Sequence, residues 1–228
     1  MYKYLLFDLD DTLLDFKLAE RFAIRKVLKE FNIDSSDETV EIYSAVNLSF
    51  WKRFEKGEIE RDEIFEGRFK EFARILNITV DTELMFKRYF KYLSVCGFTF
   101  KDTLPLLLKL DKKYTLCAVT NGALTTQTVR ILNSGIGGFF NGGIFISEAV
   151  GSQKPQKEFF DKVLNSLGNP DKSEILVLGD SVSSDILGAA NSGLDSCFVN
   201  LRNQKISGNI KPTYCVNSLD EIISVCGL

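Results

Sequence analysis

The run Tyr4-Leu5-Leu6-Phe7-Asp8-Leu9-Asp10-Asp11-Thr12 decides how this chain is read. A short strand-like apolar stretch gives way to aspartates at 8, 10 and 11. Carboxylates where a buried strand stops are costly to desolvate, so such a cluster usually holds a cation or does chemistry. Asp8 and Asp10 are separated by one residue, and an ideal strand would point both the same way. One carboxylate can then attack while its neighbour moves protons. The competing reading is an aspartate-rich turn or helix cap after a strand. The rest of the chain decides between them.

Outward from this run, residues 2–9 read as a buried strand, and residues from about 18 to 94 read as helices only. The apolar spacing predicts helices over Leu18–Phe31, Glu38–Lys56, Arg61–Leu76 and Thr82–Ser94. The second of these is capped by Ser36 or Asp37 and stopped near Gly57. After residue 98 the pattern alternates. A helix at Leu104–Lys112 leads to a strand at Thr115–Thr120, a helix at Leu124–Asn133 and a strand at Gly143–Ser147. A helix at Lys157–Leu167, a strand at Glu174–Leu178 and a helix at Asp185–Ser192 follow. Short strands at Ser196–Val199 and Thr213–Val216 and a helix at Leu219–Val225 complete the pattern.

Strand–helix alternation implies right-handed crossovers and a parallel sheet with helices on both faces. The predicted fold is therefore a doubly wound, Rossmann-like α/β core, residues 1–14 and 97–228, with an all-helical insert over 15–96 after the first strand. In such sheets ligands sit outside the carboxyl ends of the strands.

Composition narrows the chemistry. The chain has 228 residues, 45% hydrophobic and 26% charged, as expected of a soluble globular protein. It contains no histidine, which excludes Ser-His-Asp and Cys-His catalysis and histidine-ligated zinc. Acid–base work falls to Asp, Glu, Lys, Tyr or Cys. The 28 basic and 31 acidic residues give a net charge of -3 without a Lys/Arg block, so a nucleic-acid polymer is not an expected partner. No apolar run is long enough to span a membrane, and the N-terminus lacks a signal-peptide pattern. Five scattered cysteines without a CxxC fit a reducing cytoplasm and no disulfide framework.

Polar residues gather where the predicted strands end. The first strand delivers Asp8 and Asp10; the next ends in Thr120-Asn121-Gly122. Lys154-Pro155 follows the strand at 143–147, and Gly179-Asp180-Ser181, then Asp185, follow the strand at 174–178. Taken singly, these are a strand-to-helix turn, a loop before a helix and a helix cap. In this order on one scaffold they resemble motifs I to IV of the haloacid dehalogenase (HAD) superfamily, beginning with DxDxT.

That resemblance implies a magnesium-dependent phosphomonoester hydrolase. Asp8 matches the nucleophile that forms an aspartyl-phosphate. Asp10 matches the general acid/base, and also a metal ligand through its backbone carbonyl. Asp180 matches a Mg²⁺ ligand alongside Asp8, and Asp185 the second acid of that motif, supporting the metal's waters or the lysine. Thr120, with the backbone of Asn121 and Gly122, would bind phosphoryl oxygens, and Lys154 would neutralise developing charge. Asp10 also argues against carbon–halogen cleavage: the family's dehalogenases lack it, because a halide needs no protonation.

An all-helical insert between motifs I and II resembles the C1-type cap of the superfamily. Tyr43-Ser44-Ala45-Val46-Asn47, Trp51, Gly57-Glu58-Ile59 and Gly67-Arg68-Phe69 are similar to the house-cleaning pyrimidine 5'-nucleotidase branch. So are Ile146-Ser147-Glu148-Ala149-Val150-Gly151 and Ser184-Asp185-Ile186-Leu187-Gly188. The implied substrate is a nucleoside monophosphate; a sugar-phosphate phosphatase and a β-phosphoglucomutase-type phosphomutase are the alternatives. Trp51 could stack on a base, with Asn47 one helical turn before it reading a pyrimidine edge. Burial preferences favour reading Trp51 as bundle core instead. A monomer or homodimer is expected.

Overall fold

In a computed structural model, which describes residues 1–204 and 210–227, the chain forms two compact units. One comprises Met1–Phe16 and Gly97–Leu228, the other Lys17–Cys96.

The first unit is built on strand β1 (Tyr4–Phe7). Later in the chain come β2 (Thr115–Thr120), β3 (Gly143–Ile146), β4 (Ile175–Gly179), β5 (Asp195–Val199) and β6 (Tyr214–Val216). Among the described residues they form one parallel sheet in the order β3-β2-β1-β4-β5-β6. The order reverses at β1, between β2 and β4, and in such sheets that switch point is where ligands meet the carboxyl ends of the strands. Leu5, Leu6 and Phe7 are fully buried, as a strand covered on both faces requires. Leu5 and Phe7 belong to the core on one face, with Leu106, Leu107, Leu110 and Ile222. Leu6 points to the other, with Phe159, Phe160, Val163 and Ala189.

Those helical residues come from α5 (Thr103–Leu110), α8 (Lys157–Ser166), α9 (Leu187–Ser192) and α10 (Glu221–Cys226). Between them lie α6 (Leu124–Ser134) and α7 (Ser147–Val150). The doubly wound α/β architecture read from the sequence is the one observed.

The second unit holds α1 (Phe16–Glu30, whose first residue belongs to the other unit), α2 (Asp37–Glu55), α3 (Arg61–Leu76) and α4 (Thr82–Ser94). Ser36 caps α2 by accepting from the Thr39 amide, and Asn77 ends α3 in the left-handed conformation. Tyr43, Phe69, Phe72 and Tyr89 pack as a ring cluster with centroids 5.3–5.5 Å apart. No helix among the described residues is long and apolar enough to cross a membrane.

Most element ends fall within a residue or two of expectation, and three differences have a local reason. β1 stops at Phe7, because the Leu9 carbonyl accepts from the amides of Thr12, Leu13 and Leu14 and turns the chain. Asp8 therefore stands just past the strand, still in register with β4, while Asp10 lies in the turn, so the two do not share one extended strand. The helix expected from Asp185 begins at Leu187, after a wide π-helical turn over Val182–Ile186 that the Ser181 hydroxyl caps by accepting from the Ser184 amide. Residues Ser147–Val150 form a helical turn ended by Gly151 at φ +72°, where the sequence suggested only the end of a strand.

Candidate active site

Four parallel strands bring their carboxyl ends to one edge of the sheet, and the polar residues expected from the sequence converge there. Asp8 continues the ladder beyond β1, its amide donating to Leu178 O at 2.8 Å. Its buried carboxylate accepts from Lys154 Nζ at 2.6 Å on one oxygen and from the Thr12 hydroxyl at 3.1 Å on the other. Thr12 thus fixes the rotamer of the candidate nucleophile.

Lys154 is 1% exposed, and all three of its ammonium protons have acceptors: Asp8, Asp185 Oδ1 at 2.6 Å and Val119 O at 2.9 Å. Its backbone is held by Asn121, whose Nδ2 donates to Lys154 O at 2.8 Å and whose Oδ1 accepts from Lys154 N at 3.0 Å. The peptide that follows, Lys154-Pro155, is cis. Asn121 therefore anchors the lysine loop in addition to offering backbone to a ligand.

Asp185 has both oxygens engaged, Oδ1 by Lys154 and Oδ2 by the Ser181 amide at 3.1 Å. Gly179 makes room for it. A Cβ there would lie 2.6 Å from Asp185 Cβ and closer still to its carboxyl group. Asp180 makes no hydrogen bond to any described side chain, which separates it from Asp185. One oxygen from each of Asp8, Asp180 and Asp185 lies within 4.8 Å of the others.

The electrostatics of the cluster follow from burial and like charge. Burial pushes the Asp8 carboxyl up to about 7, with Asp185 and Asp10 adding to it and Lys154 opposing. Burial likewise drives Asp180 well above the usual carboxylate range, reinforced by Asp8 and Asp185. Burial works against the Lys154 charge, but Asp185 and Asp8 outweigh it and its pKa is raised. A cation would relieve this crowding. An all-oxygen donor set fits the hard, octahedral Mg²⁺ ion.

Thr120 is buried, and its hydroxyl oxygen accepts from Gln127 Nε2 at 2.8 Å and from the Gly122 amide at 3.2 Å. Its own proton is left to donate. Asp10 is more open, its side chain 28% exposed. Its carboxylate is held by two residues of α6 that the sequence reading missed, Gln127 and Arg130. Both are 1% exposed and sit three residues apart on the buried face of that helix. The signal available in the sequence was an amide and a guanidinium on an otherwise core-facing stripe. Arg202 was also missed; it donates to Asp11 and Asp15, each at 2.7 Å, and braces the loop after β1.

The two cap-type residues singled out in the sequence lie on α2 of the helical unit. Asn47 is 2% exposed, its Nδ2 donating to Glu20 Oε1 at 2.6 Å and its Oδ1 accepting from Arg68. Its amide is engaged inside the bundle, which removes the free polar edge a pyrimidine contact would need. Trp51 is half-buried, edge-on to Phe54 at 5.9 Å.

Relatives and solved structures of known family are similar to this chain. The chain is 34% identical to the pyrimidine 5'-nucleotidase PynA of Streptococcus pneumoniae over 97% of this chain and 94% of that protein. It is 31% identical to the pyrimidine 5'-nucleotidase YjjG of Escherichia coli over 97% and 96%. The crystal structure of the HAD-hydrolase YfnB from Bacillus subtilis bound to magnesium superposes with a TM-score of 0.94 at 33% identity, covering 100% of this chain and 99% of that one. With the sequence pattern of that hydrolase family matched over residues 2–193, the chain belongs to the haloacid dehalogenase-like hydrolases.

Proposed function

We propose that the protein is a Mg²⁺-dependent phosphomonoesterase acting through an aspartyl-phosphate, with pyrimidine nucleoside 5'-monophosphates as substrates. The observation that carries the chemistry is the buried Asp8 carboxylate, oriented by Lys154 and Thr12 with Asp10 two residues on. The substrate rests on the near full-length likeness to PynA and YjjG.

Asp8 attacks phosphorus, the bond from phosphorus to the ester oxygen breaks, and Asp10 passes a proton to that oxygen. Water then adds to the phosphorus on Asp8 and gives a proton to Asp10, and the Asp8–phosphorus bond breaks to restore the carboxylate. Thr120 donates its hydroxyl proton to a phosphoryl oxygen, joined by the Asn121 amide, while the Gly122 amide holds the Thr120 hydroxyl. Lys154 keeps Asp8 aimed and neutralises part of the added charge. Asp8, Asp180 and the Asp10 carbonyl would hold Mg²⁺, while Asp185 holds the lysine. The ion, when bound, supplies positive charge beside the transferring group. The helical unit, residues 17–96, acts as the cap that selects the leaving group, with Trp51 as a stacking surface for the base.

The test is phosphate release with Mg²⁺, and with EDTA as control, from UMP, dUMP, dTMP, CMP, AMP, GMP, glucose 6-phosphate, β-glucose 1-phosphate and phosphoglycolate. Preference for the pyrimidine nucleotides is expected. Preference for a sugar phosphate would overturn the substrate assignment and keep the chemistry. Activity that survives EDTA would overturn the metal requirement.

A further inference from the structure

Asp10 is not placed by its own loop alone. Gln127 Nε2 donates to Asp10 Oδ2 at 3.0 Å, and Arg130 Nη1 donates to Asp10 Oδ1. Arg130 Nη1 also donates to Gln127 Oε1 at 3.0 Å. Arg130 can only donate, so this contact fixes which end of the Gln127 amide is oxygen. The nitrogen is thereby turned toward Asp10 and Thr120, to which it donates at 3.0 Å and 2.8 Å. One amide ties the candidate acid/base to the candidate phosphoryl-binding hydroxyl. The guanidinium also lies over the Phe16 ring, 5.6 Å from its centroid.

A guanidinium 1% exposed on a helix face is costly unless paired, and an apolar residue would fill the same space more cheaply. Gly122 fits the same arrangement, since a Cβ there would come 2.5 Å from Gln127 Cγ and push the amide aside. We infer that Gln127 and Arg130 are positioning residues for proton transfer. They lock the Asp10 carboxylate at a fixed angle and distance to the Thr120 hydroxyl, and so to the ester oxygen of a bound phosphomonoester. Each Asp10 oxygen keeps a second lone pair for the proton it gives and takes. This inference rests on the phosphomonoesterase reading above.

The consequence is specific to the leaving group. An alkoxide needs the proton from Asp10; p-nitrophenolate does not. The experiment measures first-turnover rates by rapid quench, with Mg²⁺, for dUMP and for p-nitrophenyl phosphate. It compares wild type with Arg130→Met, Arg130→Lys and Gln127→Met. Glycerol 2-phosphate replaces dUMP if the wild type declines the nucleotide. Arg130→Met is expected to slow the alkoxide ester about a hundredfold, the scale of general acid catalysis, and the p-nitrophenyl ester less than tenfold. Arg130→Lys should recover part of the difference. Gln127→Met should show the same bias, smaller, and carries the test if Arg130→Met does not fold. Equal losses on both esters, no loss on either, or faster turnover would overturn the positioning role. A wild type silent on both esters would overturn the phosphatase reading, and this inference with it.

Discussion

Replacing Gly179 by Ala sets two opposing effects against each other, and their magnitudes decide the outcome. Gly179 ends β4 with ordinary strand backbone, outside the left-handed region. On local grounds alone, alanine should stabilise by about 0.5–1 kcal/mol, because glycine loses more backbone freedom on folding. The surroundings oppose this. The new Cβ would overlap the Asp185 carboxyl group, and that carboxyl cannot swing away without releasing Lys154 at 2.6 Å or the Ser181 amide at 3.1 Å. Overpacking costs about 1–3 kcal/mol, and one lost hydrogen bond to a charged group about 1.5–3 kcal/mol. The net expectation is a loss of about 2–5 kcal/mol. For a chain of this size that is a fall in Tm of roughly 10 °C. Activity should fall further than stability explains, since displacement of Lys154 by about 1 Å would misaim Asp8, at a cost near a hundredfold. Thermal melts with Mg²⁺ absent, paired with phosphate release at a temperature where both proteins are folded, read the two effects separately. A variant that melts at or above the wild-type temperature with unchanged turnover would refute the reasoning, because Asp185 would then have moved freely.

Asp8→Asn should lower turnover roughly a thousandfold or more, as removal of a covalent nucleophile does; substantial residual phosphate release would remove the assignment. Asp10→Asn should cut steady-state turnover about 10²–10⁴-fold and leave phosphorylated enzyme detectable after acid quench with p-nitrophenyl phosphate, whereas wild-type kinetics would discard its acid/base role. Asp180→Asn should weaken Mg²⁺ binding by calorimetry at least about tenfold, and Asp185→Asn less, because both Asp185 oxygens are already engaged; the reverse order would make Asp185 the metal ligand. Asn47→Leu should destabilise the helical unit by about 3–5 kcal/mol, since Arg68 would keep its buried charge without this acceptor; an unchanged melting profile would contradict that account.

The fold was readable because each level of the sequence agreed with the next. Tyr4–Phe7, Thr115–Thr120 and Ile175–Gly179 are continuous apolar runs, as strands covered on both faces must be. Ser36 caps α2 at the position where the sequence placed a cap. The expectation failed where a side chain, rather than a propensity, sets the backbone. Asp185 hydrogen-bonds back to the Ser181 amide, and the Ser181 hydroxyl accepts from Ser184, so the chain takes a wide turn before α9 begins. No periodicity encodes that turn; two polar contacts make it.

The candidate site divides along the same line. Asp8 and Asp180 could be named because each stands just past a strand, Thr120 because it ends one, and Lys154 because it lies in the loop that leads from β3 and α7 to α8, all at the edge where a parallel sheet gathers its polar ends. Gln127 and Arg130 stand inside a helix, where a polar residue on the core face has no meaning until its partner is known. That partner, Asp10, is 117 and 120 residues away in sequence. Asn47 presents the opposite case. Its place one turn before Trp51 suggested a base-reading pair, yet the structure spends its amide on Glu20 and Arg68. A buried guanidinium and a buried carboxylate, joined through one amide, are a sufficient physical reason for an asparagine on α2. On the proposed nucleotidase reading, base selectivity then falls to other side chains, and the half-buried Trp51 of α2 stays the candidate stacking surface.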